Sequence, residues 1–207
     1  QRAIANYAAQ SRAVSKQDYE SLVYNMPSKF GAVKRTNIIN DPSATNRRLA
    51  LYVISEDNNG FLAQTNNVIK NNLKNWITTY KVLNDIVDIL DARVINFSVD
   101  FLVHIDKRYD SDDVLVECIS EVQEYFSNVA YIGEPIYISR IYQRLNSITG
   151  VIDTKNVTLK NKSGGIYSSV SYNFEDALSR DGTYIMIPQN SIAELKYPNS
   201  DIKGTVK

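Results

Sequence analysis

Residues 93–106, RVINFSVDFLVHID, carry the pattern that most restricts the fold. Ile95, Phe97, Val99, Phe101, Val103 and Ile105 alternate with Asn96, Ser98, Asp100 and His104. Side chains on a strand point to opposite faces with period two, so this spacing predicts a strand over 95–105 with its odd-numbered side chains inward and its even-numbered ones wet. A strand of that length needs partners on its edges and a cover for its apolar face, and the flanking sequence offers both.

Downstream, the run YDSDD at 109–113 supplies N-capping and first-turn acidic residues. Leu115, Ile119, Val122, Phe126 and Val129 then recur at helical spacing, which predicts a helix near 112–129. Gly133 breaks it, Pro135 suits the first turn of a second helix over 135–148, and Ile138, Ile141, Leu145 and Ile148 form that helix's inner stripe. Gly150 ends it. VIDTKNVTLK reads as a strand, NKSGG as a turn, and TYIMIP (183–188) and IAELKYP (192–198) as short closing strands.

Upstream, Ser15 and Asp18 have capping-box spacing, and Tyr19, Leu22, Val23 and Met26 give a helix over 16–26 that Pro27 stops. Gly31 allows a sharp corner into a strand, AVKRTNII, which closes at Asp41-Pro42. RRLALYVIS forms an antiparallel partner whose run Leu49 to Ile54 has no polar face and suits burial on both sides. Thr65 is placed to cap a helix over 66–80 carrying Ile69, Leu73, Trp76 and Tyr80 inward. In KVLNDIVDILD, residues 81–91, a helical reading puts Asp85, Asp88 and Asp91 on one solvated face and makes the segment a junction between modules. The whole predicts an α+β protein of two small modules, 13–91 and 92–198. Each is a short, mainly antiparallel or mixed sheet covered by helices, with 199–207 a tail. Because the sequence begins with Gln1, residues 1–12 read as a segment continuing from chain upstream.

Chemistry is sparse. Lys plus Arg and Asp plus Glu are equal at 23 each, so no net charge favours nucleic acid as a partner. No apolar run approaches the roughly 18 residues of a membrane span, which argues against membrane insertion. The lone Cys118 suits a reducing compartment and, with no cation at helical spacing, a structural role. Asn96, Asn156 and Asn161 begin N-x-S/T triplets, a frequency expected by chance in an asparagine-rich chain. His104 is the single histidine and has no serine or cysteine in an elbow-type motif beside it. One Cys and one His offer no zinc spacing, YDSDD lacks the Gly and Glu of a calcium loop, and KSGG is no phosphate loop. The reading is therefore no catalytic residue, no cofactor, no metal and no small-molecule substrate. Lys29, Lys34 and Arg35 around the Gly31 corner are expected to face solvent or bind a protein carboxylate rather than phosphate.

Two stretches carry a resemblance. SRAVSKQDYESLVYNMPSKFGAVKRTNII, through Arg12, Val14, Ser15, Asp18 and Tyr19, is similar to the pattern Arg-x-Val-Ser/Thr-x-x-Asp-Tyr that opens a helix, a Gly corner and a Val-rich strand in the baseplate J-like family of contractile phage tails. EYFSNVAYIGEPIYISRIYQRLNSITGVIDTKNVTL, with Gly150-Val151 at its strand start, resembles that family's later module. The resemblance implies a non-enzymatic virion protein made in the host cytoplasm. It would be a wedge component that self-associates as a dimer within a ring around the tail hub, joins other baseplate wedge proteins and couples to the sheath. A small ferredoxin-like enzyme or ligand-binding domain is the alternative. Tyr137, Arg140 and Arg144, spaced three and four apart on a helix whose other face is core, read either as a solvated helix face or as the surface where a partner would touch.

Overall fold

The computed structural model describes residues 12–41 and 48–207, and it divides into two compact units after Ala92. The fold class is α+β, as the sequence predicts.

The first unit starts with helix α1 (Lys16–Tyr24), where Ser15 and Asp18 close a capping box. The backbone N–H groups of Ser15 and Val14, together with the Ser15 hydroxyl, hold the Asp18 carboxyl below its ordinary value. A single 3₁₀ turn, Ser28–Phe30, leads to Gly31 at φ 110°, where an added Cβ would lie 2.6 Å from Ile69 Cγ1. Both the positive φ and the close approach demand glycine. Strands β1 (Arg35–Asp41) and β2 (Arg48–Glu56) pair antiparallel, with Ile38 opposite Leu51. A short β3 (Leu62–Ala63) pairs with the end of β2. Helix α2 (Asn67–Tyr80) follows, and Tyr19, Val23, Leu73 and Ile77 from the two helices share a core with Ile38, Leu49, Leu51 and Val53.

Two local expectations fail in this unit. Asn66, not Thr65, caps α2 through its side chain, while Thr65 is buried with its hydroxyl 3.0 Å from that of Ser55. The predicted solvent-facing helix over 81–91 is largely strand β4 (Ile86–Asp91), parallel to β2 with Ile89 opposite Leu51. Its aspartates are not one solvated face. Asp85 is 3% exposed and accepts from the Tyr19 hydroxyl at 2.7 Å, Asp88 pairs with Arg48 at 2.6 Å, and Asp91 pairs with Lys70 at 2.8 Å. Each carboxylate finds its own partner from a different element, which removes the repulsion that made solvation look better.

The second unit is built on β5 (Arg93–Ile105). Along one edge it pairs antiparallel with β6 (Val151–Lys162), Val99 opposite Leu159, with register shifts at Leu102/Val103 and His104/Ile105. It also pairs parallel with β7 (Ser191–Glu194) through residues 93–96 and with β8 (Ile202–Val206) through residues 99–103. The odd-numbered residues 95–105 are all buried and His104 is exposed, so the register follows the sequence pattern. The even side is wet only toward the C-terminal end. Asn96 and Ser98 are buried, and Asn96 is satisfied there: Ser168 N–H donates to Asn96 Oδ1 at 2.8 Å and Asn96 Nδ2 donates to Glu194 at 2.8 Å.

Helices α3 (Ser111–Tyr125) and α4 (Ile138–Asn146) bury Val114, Cys118, Val122, Ile138, Ile141 and Leu145 in the core that the odd face of β5 also lines. Both helices are shorter than predicted, since Phe126 already caps α3 and Tyr137 is the N-cap of α4. TYIMIP forms no strand; Ile185 makes isolated bridges with Ile136 and Leu178. Residues 199–207 are no loose tail either. A one-turn helix α5 (Pro198–Asp201) leads into β8, whose Gly204 would place an added Cβ 2.5 Å from both Leu115 Cδ1 and Phe101 Cζ.

Candidate functional site

Because Ile138, Ile141 and Leu145 turn inward, Tyr137, Arg140 and Arg144 are carried on the neighbouring flank of α4, and the structure brings the three into one cluster. The Arg140 guanidinium lies 4.6 Å from the centre of the Tyr137 ring. That ring in turn sits 6.0 Å from Tyr184 at a tilt of 51°. Tyr184 is held there by the backbone: Ile136 and Ile185 exchange N–H···O bonds of 3.0 and 2.8 Å, and Ser139 N–H donates to Thr183 O at 3.1 Å. Arg144 donates to Glu121 of α3 and lies 5.6 Å from the Tyr125 ring. The Tyr125 hydroxyl donates to Tyr137 O at 3.4 Å, and burial raises its pKa above the ordinary tyrosine value against an opposing pull from Arg140. The phenol stays neutral throughout the physiological range.

The cluster is an aromatic and cationic patch, with one guanidinium stacked and exposed and the other locked in an ion pair. Tyr125, Tyr184 and Glu121 were missed by the sequence reading. Glu121 and Tyr125 are four apart on α3, a spacing that places them on one face. Tyr184 had no local signal, since its position depends on a bridge between residues 49 apart in sequence, Ile136 and Ile185.

Several other polar residues singled out in the sequence are engaged structurally. Lys34 pairs with Glu56 at 2.6 Å, Arg35 Nη1 donates to Lys34 O at 3.1 Å, and the Lys29 ammonium lies 4.9 Å from the Phe30 ring centre. The Gly31 corner is thus a turn with protein partners. Asp110 accepts from the Asp112 and Asp113 N–H groups, which is helix-start chemistry. Cys118 is fully buried, and burial pushes its thiol up to about 11. An open groove of about 730 Å³ between α2 and β4 is lined by Arg48, Lys70, Lys74, Asp88 and apolar residues of β4, but Asp88 and Asp91 already take up Arg48 and Lys70. Among the described residues, no three His, Cys, Asp or Glu side chains are placed to hold a metal ion, and no helix is long and apolar enough to cross a membrane.

No family model matches the sequence, and no curated protein matches it. The fold does have solved relatives. One is a chain of the anti-feeding prophage baseplate, determined by cryo-EM with sixfold symmetry applied. It is 13% identical with a TM-score of 0.58, and the match covers 95% of the present chain and 40% of that chain. At that identity the likeness is one of fold, and the present chain spans about two fifths of the longer neighbour.

Proposed function

We propose that this chain is a structural component of a phage-type tail baseplate, working through its surfaces rather than by catalysis. The observation that carries the reading is the extent of the fold likeness: 95% of the chain, and so both α+β units in order, follows a chain of a sixfold baseplate. The motif around Asp18-Tyr19 and the helix, break and strand leading to Gly150-Val151 support the same reading from sequence.

In this account the two units are J-like modules of a wedge protein. Copies of the chain associate with one another and with other wedge proteins into a ring around the tail hub, coupled to the contractile sheath. The protein is located in the virion after synthesis in the host cytoplasm. The Tyr137, Arg140 and Arg144 face is one contact surface, since Tyr and Arg are the residue types enriched where a surface must be soluble alone and dry when joined. Disrupting the gene in the genome that carries it, followed by negative-stain electron microscopy of the particles produced, tests the role. Tail tubes or sheaths lacking a baseplate are expected, with rescue by the gene supplied in trans. Normal baseplates in the disrupted strain would overturn the reading.

A further inference from the structure

We propose that the Tyr137–Arg140 stack is a carboxylate-recognition point whose occupant is an aspartate or glutamate side chain on an acidic segment of a neighbouring protein. The inference rests on reading this face as a contact surface, and it specifies the chemistry of what the face meets.

Arg144 and Arg140 stand four apart on α4 in contrasting states. Arg144 is committed to Glu121 of its own chain. Among the described residues the Arg140 side chain makes no hydrogen bond or ion pair, yet it is not a free-swinging surface arginine, because its guanidinium is stacked 4.6 Å from the centre of the Tyr137 ring. Tyr137 is fixed by its place at the N-cap of α4 and by Tyr184. Stacking one face of a guanidinium on an aromatic ring leaves the N–H donors around its edge available and lowers the entropy cost of fixing them. The ligand that matches a planar fork of donors is a carboxylate, which accepts two parallel N–H···O bonds. The Tyr137 and Tyr184 hydroxyls also make no hydrogen bond among the described residues and add donors to the patch.

The source of the carboxylate follows from the shape. The patch lies on the outer flank of α4 with Arg140 exposed, so it offers a small acid little burial of the kind a ligand pocket gives. A protein segment can supply the carboxylate together with apolar area to cover the tyrosine rings, which is how a central Tyr and Arg come to dominate an interface.

The test uses the full chain in a fluorescence-polarisation titration with a short glutamate-rich peptide and its glutamine counterpart, at low and at high salt. Wild type, Arg140→Gln, Arg140→Lys and Lys203→Gln are compared, the last altering an exposed charge elsewhere in the same unit. Circular dichroism confirms that each variant is folded. The glutamate peptide is expected to bind about tenfold tighter than the glutamine peptide, with Arg140→Gln losing about that factor. Arg140→Lys should lose an intermediate amount because an ammonium cannot reproduce the fork. Lys203→Gln should behave as wild type, and free acetate should not displace the peptide. Equal binding of the two peptides, displacement by acetate, wild-type binding by Arg140→Gln, or an equal loss in Lys203→Gln would each overturn the proposal. This measurement reads the patch in solution, so its failure leaves the gene-disruption result standing, and the reverse holds too.

Discussion

Two aspartates three positions apart in KVLNDIVDILD have opposite fates, and their difference is a matter of neighbours rather than of residue type. Asp85 is buried and bonded to the Tyr19 hydroxyl across 66 residues of sequence, whereas the Asp88 side chain remains 38% exposed beside Arg48. Removing a buried acceptor strands its donors, so Asp85→Ala should destabilise the first unit by about 1–3 kcal/mol. Asp88→Ala breaks a solvent-screened pair and should cost under about 1 kcal/mol. Urea titrations of the two variants followed by circular dichroism measure the contrast, and equal losses would contradict it. Cys118 gives a second expectation. Its thiol is raised in the folded state, so its contribution to stability is complete below the ordinary thiol value of 9.0 and fades as pH climbs toward about 11. A thiol reagent should therefore react slowly with the native protein at neutral pH and rapidly once it is unfolded. Fast labelling without unfolding would show that the site is open.

At the scale of elements, what could be read from sequence was what local spacing determines. The period-two run of β5, the Ser15–Asp18 capping box and the inward stripe of α4 each depend on residues within a few positions of one another, and each appears in the structure. Elements that exist only through distant pairing were misread. Strand β4 is stabilised by β2, 38 residues away in the register Arg48 to Ile86, and its three-residue acidic repeat mimics a helix face. Strand β8 is five residues containing Gly204 and two lysine- or threonine-bearing exposed positions, too short and polar to signal a strand, yet it pairs with β5 over residues 99–103. Of the candidate face, Tyr137, Arg140 and Arg144 were legible because they share one helix, while Tyr184 was not. The account gives β8 a structural weight that its composition hides. Deleting residues 202–207 would leave the N–H and C=O groups of Val99–Val103 unpaired along one edge and uncover Ile202's place in the core. Loss of cooperative unfolding in the second unit and dye binding by exposed apolar surface are expected. The finer test is Gly204→Ala, which forces a methyl against Leu115 and Phe101 and should cost about 1–3 kcal/mol as overpacking. An unchanged melting temperature would mean that α3 does not press on β8 as described.

For the molecule as a whole, the described residues form two hydrophobic cores, each closed around its own sheet, with many of the polar side chains engaged in caps, ion pairs and aromatic contacts. The fold likeness to a chain of a baseplate is the observation on which the proposed role rests. The central claim is the proposed residence in a tail baseplate, and quantitative mass spectrometry of purified tail particles addresses it most directly. If the proposed role holds, peptides of this chain co-purify with the particles in a fixed copy number per particle. Recovery of the chain only in the free protein fraction, with particles complete without it, would contradict the account.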